Sequence, residues 1–93
     1  MKRSELTISK RRREHMGGLG SLSYFDHWNV TTPDGRKYNI NIMRSYPNGR
    51  LWRTNIHKGH YPLPIDNDSE ASFVSMAKNY NDALRIICEL PSA

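Results

Sequence analysis

Apolar and polar residues alternate through much of residues 24–56, and this period of two is typical of β-strands with one buried face. The alternation is interrupted twice by the same kind of motif, Pro33-Asp34-Gly35-Arg36 and Pro47-Asn48-Gly49-Arg50. In a three-residue hairpin loop, proline sets the φ angle of the first position, Asp or Asn is tolerated at the second, and glycine adopts the positive φ of the third. The pattern therefore predicts two hairpins joining strands near residues 24–31, 37–44 and 50–56.

The length of each loop decides which residues lie opposite each other. A two-residue turn at Asn48-Gly49 would place Ile42 opposite Asn55 and mix the apolar and polar faces. Three-residue loops keep the faces separate in both hairpins, and a slip of one residue would exchange them, so the pattern favours three-residue loops. The predicted pairs are Ile42 with Thr54, Ile40 with Ile56, Asn41 with Asn55, Val30 with Tyr38, and Trp28 with Ile40.

This register divides the predicted sheet into two unlike faces. The apolar face is expected to form the core, and it carries Trp28, Val30, Tyr38, Ile40, Ile42, Trp52, Thr54 and Ile56. We expect the other face to be exposed, because it is too polar to bury without partners. It carries His27, Asn29, Thr31, Lys37, Asn39, Asn41, Met43, Leu51, Arg53 and Asn55.

A helical period follows the strands. Apolar side chains recur at the i, i+3, i+4 and i+7 positions from Tyr80, and Pro91 ends the run, which predicts a helix over residues 80–90 on the apolar face of the sheet. A helix over residues 68–90 would be about 35 Å long, longer than the strands, so a break is predicted near Lys78-Asn79. Residues 71–77 are then either a short helix or a fourth strand. The predicted fold class is α+β, a three-stranded or four-stranded antiparallel meander covered by a C-terminal helix.

The first 20 residues differ from the rest of the chain. They combine the basic run Lys10–Arg13 with glycines at 17, 18 and 20, and they lack a sustained apolar period. This composition predicts a flexible basic tail over residues 1–20, followed by a single small α+β domain over residues 21–93.

Charge is distributed unevenly along the 93 residues, whose net charge is +5. Residues 35–65 contain six Lys or Arg and no acid, whereas residues 66–93 contain five acids and two bases. A basic sheet and an acidic helix region are expected from this division. Such polarity favours attraction to a polyanion, although charge also serves solubility alone.

The asparagines of the polar face suggest a ligand. Asn is disfavoured in strands, but it can address the edge of adenine in the major groove, while Arg or Lys can address guanine and basic arms can hold phosphates. The chain therefore predicts a nucleic-acid-binding module, with duplex DNA favoured because the predicted inward position of the tryptophans leaves few aromatic rings for stacking on single strands. The predicted binding residues are Lys10, Arg11, Arg12, Arg13, Lys37, Asn39, Asn41, Arg53 and Asn55.

Other functions have less support in the sequence. A protein-binding inhibitor or adaptor, using the polar face, the helix side or a sheet edge, is the alternative to nucleic-acid binding. No phosphate-binding loop or hydrolase motif occurs, so we expect no catalysis and no cofactor. His57 and His60, with His27 and Asp26, are the candidate metal ligands, but a zinc site needs three or four converging groups, so no metal is predicted.

Cellular location is also predicted from composition. Cys88 is the single cysteine, which excludes an intramolecular disulfide and favours a reducing compartment. No apolar run approaches the roughly 18 residues of a membrane span, and no signal peptide is recognised. We therefore expect a cytoplasmic protein without a membrane partner.

Overall fold

A computed structural model of the chain describes residues 1–15, 23–45, 50–61 and 73–91. Its elements are a 3₁₀ turn at Arg3–Glu5, strands β1 (Thr7–Ile8), β2 (Arg12–His15), β3 (Ser23–Thr31), β4 (Lys37–Ser45), β5 (Arg50–Lys58) and β6 (Phe73–Ala77), and helix α1 (Tyr80–Glu89). The described strands form one antiparallel sheet in the order β1-β3-β4-β5-β6, and β2 pairs with β3 on the same edge as β1. The α+β class with a C-terminal helix is confirmed, but the sheet has more strands than predicted.

The first hairpin has the predicted three-residue loop. Gly35 adopts a φ of +89°, and its N–H donates to the Thr32 carbonyl over 2.9 Å. The Thr32 N–H donates to the Arg36 carbonyl, also over 2.9 Å, which closes the loop. Asp34 accepts from Nε of Arg36 at 3.0 Å and from the hydroxyl of Thr32. The predicted pairs Val30 with Tyr38 and Trp28 with Ile40 are confirmed.

The second hairpin reaches the predicted register by a different route. Ile42 lies opposite Thr54, Ile40 opposite Ile56 and Asn41 opposite Asn55, as predicted. Closer to the turn, Arg44 pairs with Leu51 and Ser45 with Arg50, which leaves one extra residue in β5 between the pairs of Met43 and Arg44. The prediction of a three-residue loop followed by an unbroken ladder is therefore wrong. A β-bulge in β5 restores the predicted pairs from Ile42 and Thr54 onward. The predicted loop residues 47–49 themselves lie outside the described residues.

The core lies between the sheet and α1, on the face that the sequence predicts. Buried apolar side chains from three strands meet one stripe of the helix. The strands contribute Val30, Tyr38, Ile40, Ile42 and Ile56, and the helix contributes Ala83, Leu84 and Ile87. Trp28 is half-buried beside this cluster, and its ring centre lies 4.6 Å from that of Tyr80. Thr54 is fully buried, and the side chain of Trp52 lies outside the described residues.

The break before the helix is also confirmed. Asn79 caps α1 by accepting the N–H of Asp82 over 2.8 Å, and the Asp82 carboxylate accepts the N–H of Lys78 over 2.9 Å. Residues 73–77 form strand β6, which pairs antiparallel with β5. Of the two predicted alternatives for this segment, the strand is therefore correct. Within the described residues, no helix is long and apolar enough to cross a membrane.

The predicted flexible tail is wrong for residues 1–15. Thr7 and Ile8 pair with Thr31 and Val30, and β2 pairs with β3 from Arg12 opposite His27 to His15 opposite Tyr24. The prediction failed because it left the edge of β3 without a partner, and this segment supplies one. Leu6 and Ile8 also pack against the core, so the segment buries apolar surface as well. Residues 16–20 of the predicted tail lie outside the described residues.

Candidate nucleic-acid interface

We call the face of the sheet opposite α1 the outer face. Because directly paired residues of antiparallel strands share a face, the register lays polar side chains side by side in rows. One row crosses five strands and consists of Arg12, His27, Asn41, Asn55 and Met76. The next row consists of Asn29, Asn39, His57 and Phe73. The predicted polar residues of β3 to β5 therefore do share one face.

The expectation that this face is exposed is wrong at its centre. His27 and Asn39 have no exposed surface, and Asn55 is 8% exposed. Burial of Asn39 and Asn55 is offset by hydrogen bonds to neighbouring groups, whereas Nε2 of His27 is buried without a hydrogen-bond partner among the described residues. The Asn39 amide donates to Oδ1 of Asn29 at 2.8 Å and to the Trp28 carbonyl at 3.1 Å, and it accepts from Asn41. Asn39 thus has a structural role in the sheet and presents no edge to a ligand.

The residues after β5 cover part of the outer face. The Tyr61 N–H donates to Oδ1 of Asn29 at 2.8 Å, and the Asn29 amide donates back to the Tyr61 carbonyl at 3.2 Å. The ring of Tyr61 lies 4.3 Å from that of His27, measured between ring centres. Nε2 of His60 lies 3.2 Å from the hydroxyl of Thr31. Asn29 therefore ties residues 60–61 down onto β3.

Cations remain exposed around the covered centre. Lys10, Arg11 and Arg12 are exposed on the sheet edge formed by β1 and β2, and Arg12 lies opposite His27 on the outer face. Lys37, at the start of β4, and Arg53, in β5, are also exposed. Within the described strands, Glu14 is the acidic side chain of the outer face. The exposed rim of this face is therefore strongly basic.

Arg13 is also exposed, but it does not belong to the outer face. It pairs with Asp26 on the α1 side of the sheet, where Nε and Nη2 donate to the carboxylate at 2.8 and 3.2 Å. Its guanidinium carbon lies 4.3 Å from the centre of the Tyr24 ring. The bond to Asp26 raises the pKa of Arg13 further above its usual value. Arg13 thus tethers β2 to the sheet.

Two histidines of the outer face, His27 and His57, have lowered pKa values. Burial lowers the pKa of His27, and Glu14 opposes this effect because its Oε1 lies 3.8 Å from Nε2 of the ring. Burial also lowers the pKa of His57, with a smaller contribution from the charge of Arg53. Among the described residues, no three His, Cys, Asp or Glu side chains converge as metal ligands. The absence of a metal stays a prediction.

The sequence pattern missed two exposed apolar residues of the outer face. Phe73 is 39% exposed and Met76 is 55% exposed. In a regular strand, residues three apart point to opposite faces, but a register shift between Ile56 and His57 puts both residues on the outer face. The sequence leaves residues 71–77 open between a short helix and a strand, and no local signal marks the irregularity.

Comparison with known proteins adds no further assignment. No family model matches the chain, and neither the curated proteins nor the solved structures contain a significant match. Function is therefore argued from the geometry described above.

Proposed function

We propose that this protein is a small non-catalytic module that binds nucleic acid, with duplex DNA as the favoured ligand. The observation that carries the proposal is a set of exposed cations, which we call the basic rim. Arg12, Lys37 and Arg53 lie on the outer face, and Lys10 and Arg11 lie at the adjoining β1–β2 edge. Such a rim supplies the sequence-independent attraction to phosphates that dominates affinity for DNA.

The dimensions of the rim suit a duplex. Arg53 lies opposite Met43, six residues along β4 from Lys37, so the two cations are separated by about 20 Å along the strand direction. That distance corresponds to about six base pairs at 3.4 Å per pair. The cations of the β1–β2 edge border the same face on a paired segment, so they lose less freedom on binding than they would on a mobile tail.

The proposal gives the asparagines a smaller role than the sequence suggests. Asn39 and Asn55 are buried, and Arg53 Nε donates to Oδ1 of Asn55 at 3.2 Å. We therefore assign phosphate contacts to the exposed cations and leave Asn41, which is half-buried, as the asparagine nearest to a groove. A cytoplasmic location is kept as part of the proposal, on the ground of the single cysteine.

Fluorescence anisotropy with a labelled duplex tests this function. We expect binding at about 50 mM salt that weakens steeply by about 200 mM. The double variant Lys37→Gln with Arg53→Gln should weaken binding. It should also reduce the slope of log K against log salt concentration by about 1.8, since each of the two lost phosphate contacts contributes about 0.9. Lys78→Gln with Arg85→Gln is the matched control, because it also removes one Lys and one Arg charge, at exposed positions next to and on α1, away from the rim. Absence of binding at micromolar protein and low salt would refute the proposal.

A protein partner is the second candidate, and the edge of the sheet favours it. Among the described residues, β6 is the last strand of the sheet, and no described strand pairs with its second edge. Phe73 and Met76 add exposed apolar surface beside that edge. An extended segment of another protein can add to such an edge.

A pull-down from lysate separates the two candidates when it is run with and without nuclease. A stoichiometric protein that is retained after nuclease treatment, and lost with Met76→Lys, would support the protein partner. Proteins that disappear with nuclease would instead support the nucleic-acid proposal.

A further inference from the structure

A pocket lies at one end of the molecule, where the first hairpin, the end of β5, the strand β6 and the C-terminal end of α1 meet. Its volume is about 390 Å³, within the range of pockets that hold small ligands. Its walls are formed by Arg36, Tyr38, Lys58, Val74, Leu90 and Pro91, with Lys37 at the side. This pocket lies apart from the centre of the outer face, and Lys37 is the one lining residue that it shares with the proposed DNA-binding rim.

The pocket has an apolar floor. Tyr38 is 6% exposed and belongs to the core, while Val74 and Leu90 are half-buried against it. Pro91 continues the apolar wall beyond the end of α1. A hydrocarbon or aromatic body placed here would leave water and extend the hydrophobic core.

Positive charge surrounds this floor. Among the described residues, the lining contains three bases, Arg36, Lys37 and Lys58, and no acid. The Asp34 carboxylate beside Arg36 offsets one of these three charges. Lys58 lies opposite Tyr38 in the register, so both side chains leave the same face of the sheet. Lys58 is exposed and can therefore reach a ligand directly.

Arg36 is held rigidly in the wall. Its Nη1 donates to the Pro91 carbonyl at 2.8 Å and to the Tyr38 hydroxyl at 3.2 Å, and its Nε donates to Asp34 at 3.0 Å. The side chain is 15% exposed. Its Nη2 is buried and bonds to no group within the described residues. The Asp34 carboxylate offsets the charge of Arg36, but this buried N–H remains available to a hydrogen-bond acceptor that reaches it.

We propose that this pocket binds a small amphipathic anion, which consists of an apolar body and a carboxylate or phosphate head group. The apolar body lies on Tyr38, Val74 and Leu90. The head group pairs with Lys58 at the mouth, while Arg36, whose charge is offset by Asp34, forms the polar wall behind it. A carboxylate and a phosphate would both pair with Lys58, and the experiment below distinguishes between them.

The experiment follows binding by NMR on the full chain, with octanoate and octyl phosphate as probes. Saturable shifts of the backbone amides of Lys58, Val74 and Leu90 are expected with one or both probes, and the tighter probe identifies the head group. Octanol has the same apolar body without charge, and we expect it to bind about tenfold or more weakly, because it loses the attraction to Lys58. Octanol binding as tightly as both anions would overturn the proposal, and so would shifts confined to other residues.

Variants test the same assignment. Lys58→Glu should weaken octanoate binding by about tenfold or more, because the charge at the mouth is reversed. Lys78→Glu makes the same change in charge at an exposed position outside the pocket, and it should change the affinity less than about twofold. Equal losses in both variants would indicate a general charge effect and contradict the pocket. The wild-type shifts decide the question if Lys58→Glu does not fold.

DNA binding does not decide this proposal. If octanoate causes no shifts at the pocket while DNA binding is observed, only the pocket proposal is refuted. If octanoate causes the expected shifts but DNA does not bind, only the proposed nucleic-acid function is refuted.

Discussion

The two faces of the sheet are both buried at their centres, but by different means. The α1 face is closed by aliphatic packing around Ile40 and Ile56, neither of which has exposed surface. The outer face is closed by hydrogen bonds among His27, Asn29 and Asn39 and by residues 60–61. A polar face is therefore not necessarily a free face, since its exposure depends on whether its polar groups find partners.

The energetics of the two faces differ accordingly. Burial of an isoleucine side chain contributes about 1.5–3 kcal/mol, whereas a hydrogen bond contributes a net of about 1 kcal/mol. We expect the α1 face to supply most of the stability. The outer face contributes less, but loss of one partner there leaves a buried polar group unpaired.

The largest effect is expected on the α1 face. Ile40→Ala removes a fully buried side chain from the central strand β4 and should lower the free energy of unfolding by about 3–4 kcal/mol. Urea denaturation measures the loss. Met76→Ala is the control, since Met76 is 55% exposed, and it should change the stability by less than about 0.5 kcal/mol. A loss below about 1 kcal/mol for Ile40→Ala would mean that this face is not the main core.

A smaller but definite effect is expected on the outer face. Asn39→Ala removes the amide that joins Asn29, Asn41 and the Trp28 carbonyl, and it should cost about 2–3 kcal/mol. Urea denaturation and DNA anisotropy are measured on the same variant. An unchanged stability with lost DNA binding would show that Asn39 contacts the ligand, contrary to its buried position.

The histidines of the outer face should make stability depend on pH. Burial lowers the pKa of His27 and His57 in the folded protein, so the unfolded chain takes up protons first as the pH falls. Their contribution is complete above the unfolded pKa of about 6.5 and is lost progressively below it. Thermal denaturation should show a lower Tm at about pH 5 than at about pH 7, and His27→Gln with His57→Gln should flatten this difference. An equal slope in the double variant would exclude these two histidines as the cause.

The smallest effect is expected at the sheet edge. Arg13→Gln removes the bond to Asp26 and should loosen β2 without unfolding the core, because Arg13 itself is largely exposed. Hydrogen exchange should accelerate at the amides of β2 while those of β4 stay protected. Arg85→Gln is the control, because it also removes a surface ion pair, in this case with Asp82 on α1. Equal exchange in β2 for both variants would show that Arg13 does not hold this edge.

A large part of the fold could be predicted because its signals are local. The period of two, the Pro-Asp-Gly loop and the helical stripe from Tyr80 each depend on residues near one another in the chain. They fixed the pairs Val30 with Tyr38 and Ile40 with Ile56, and they placed these residues on the face that α1 covers. The same register correctly placed the candidate asparagines on one face of the sheet.

Other features were decided by contacts between distant parts of the chain. Asn29 binds Tyr61 across 32 positions of sequence, and this contact covers a face that the pattern alone leaves open. Arg36 reaches the Pro91 carbonyl across 55 positions and builds one wall of the pocket. The basic segment near the N-terminus pairs with β3 because an open strand edge satisfies its backbone groups, which composition does not reveal. Periodicity thus determined which way each side chain points, while tertiary contacts determined which of those side chains remain exposed to a ligand.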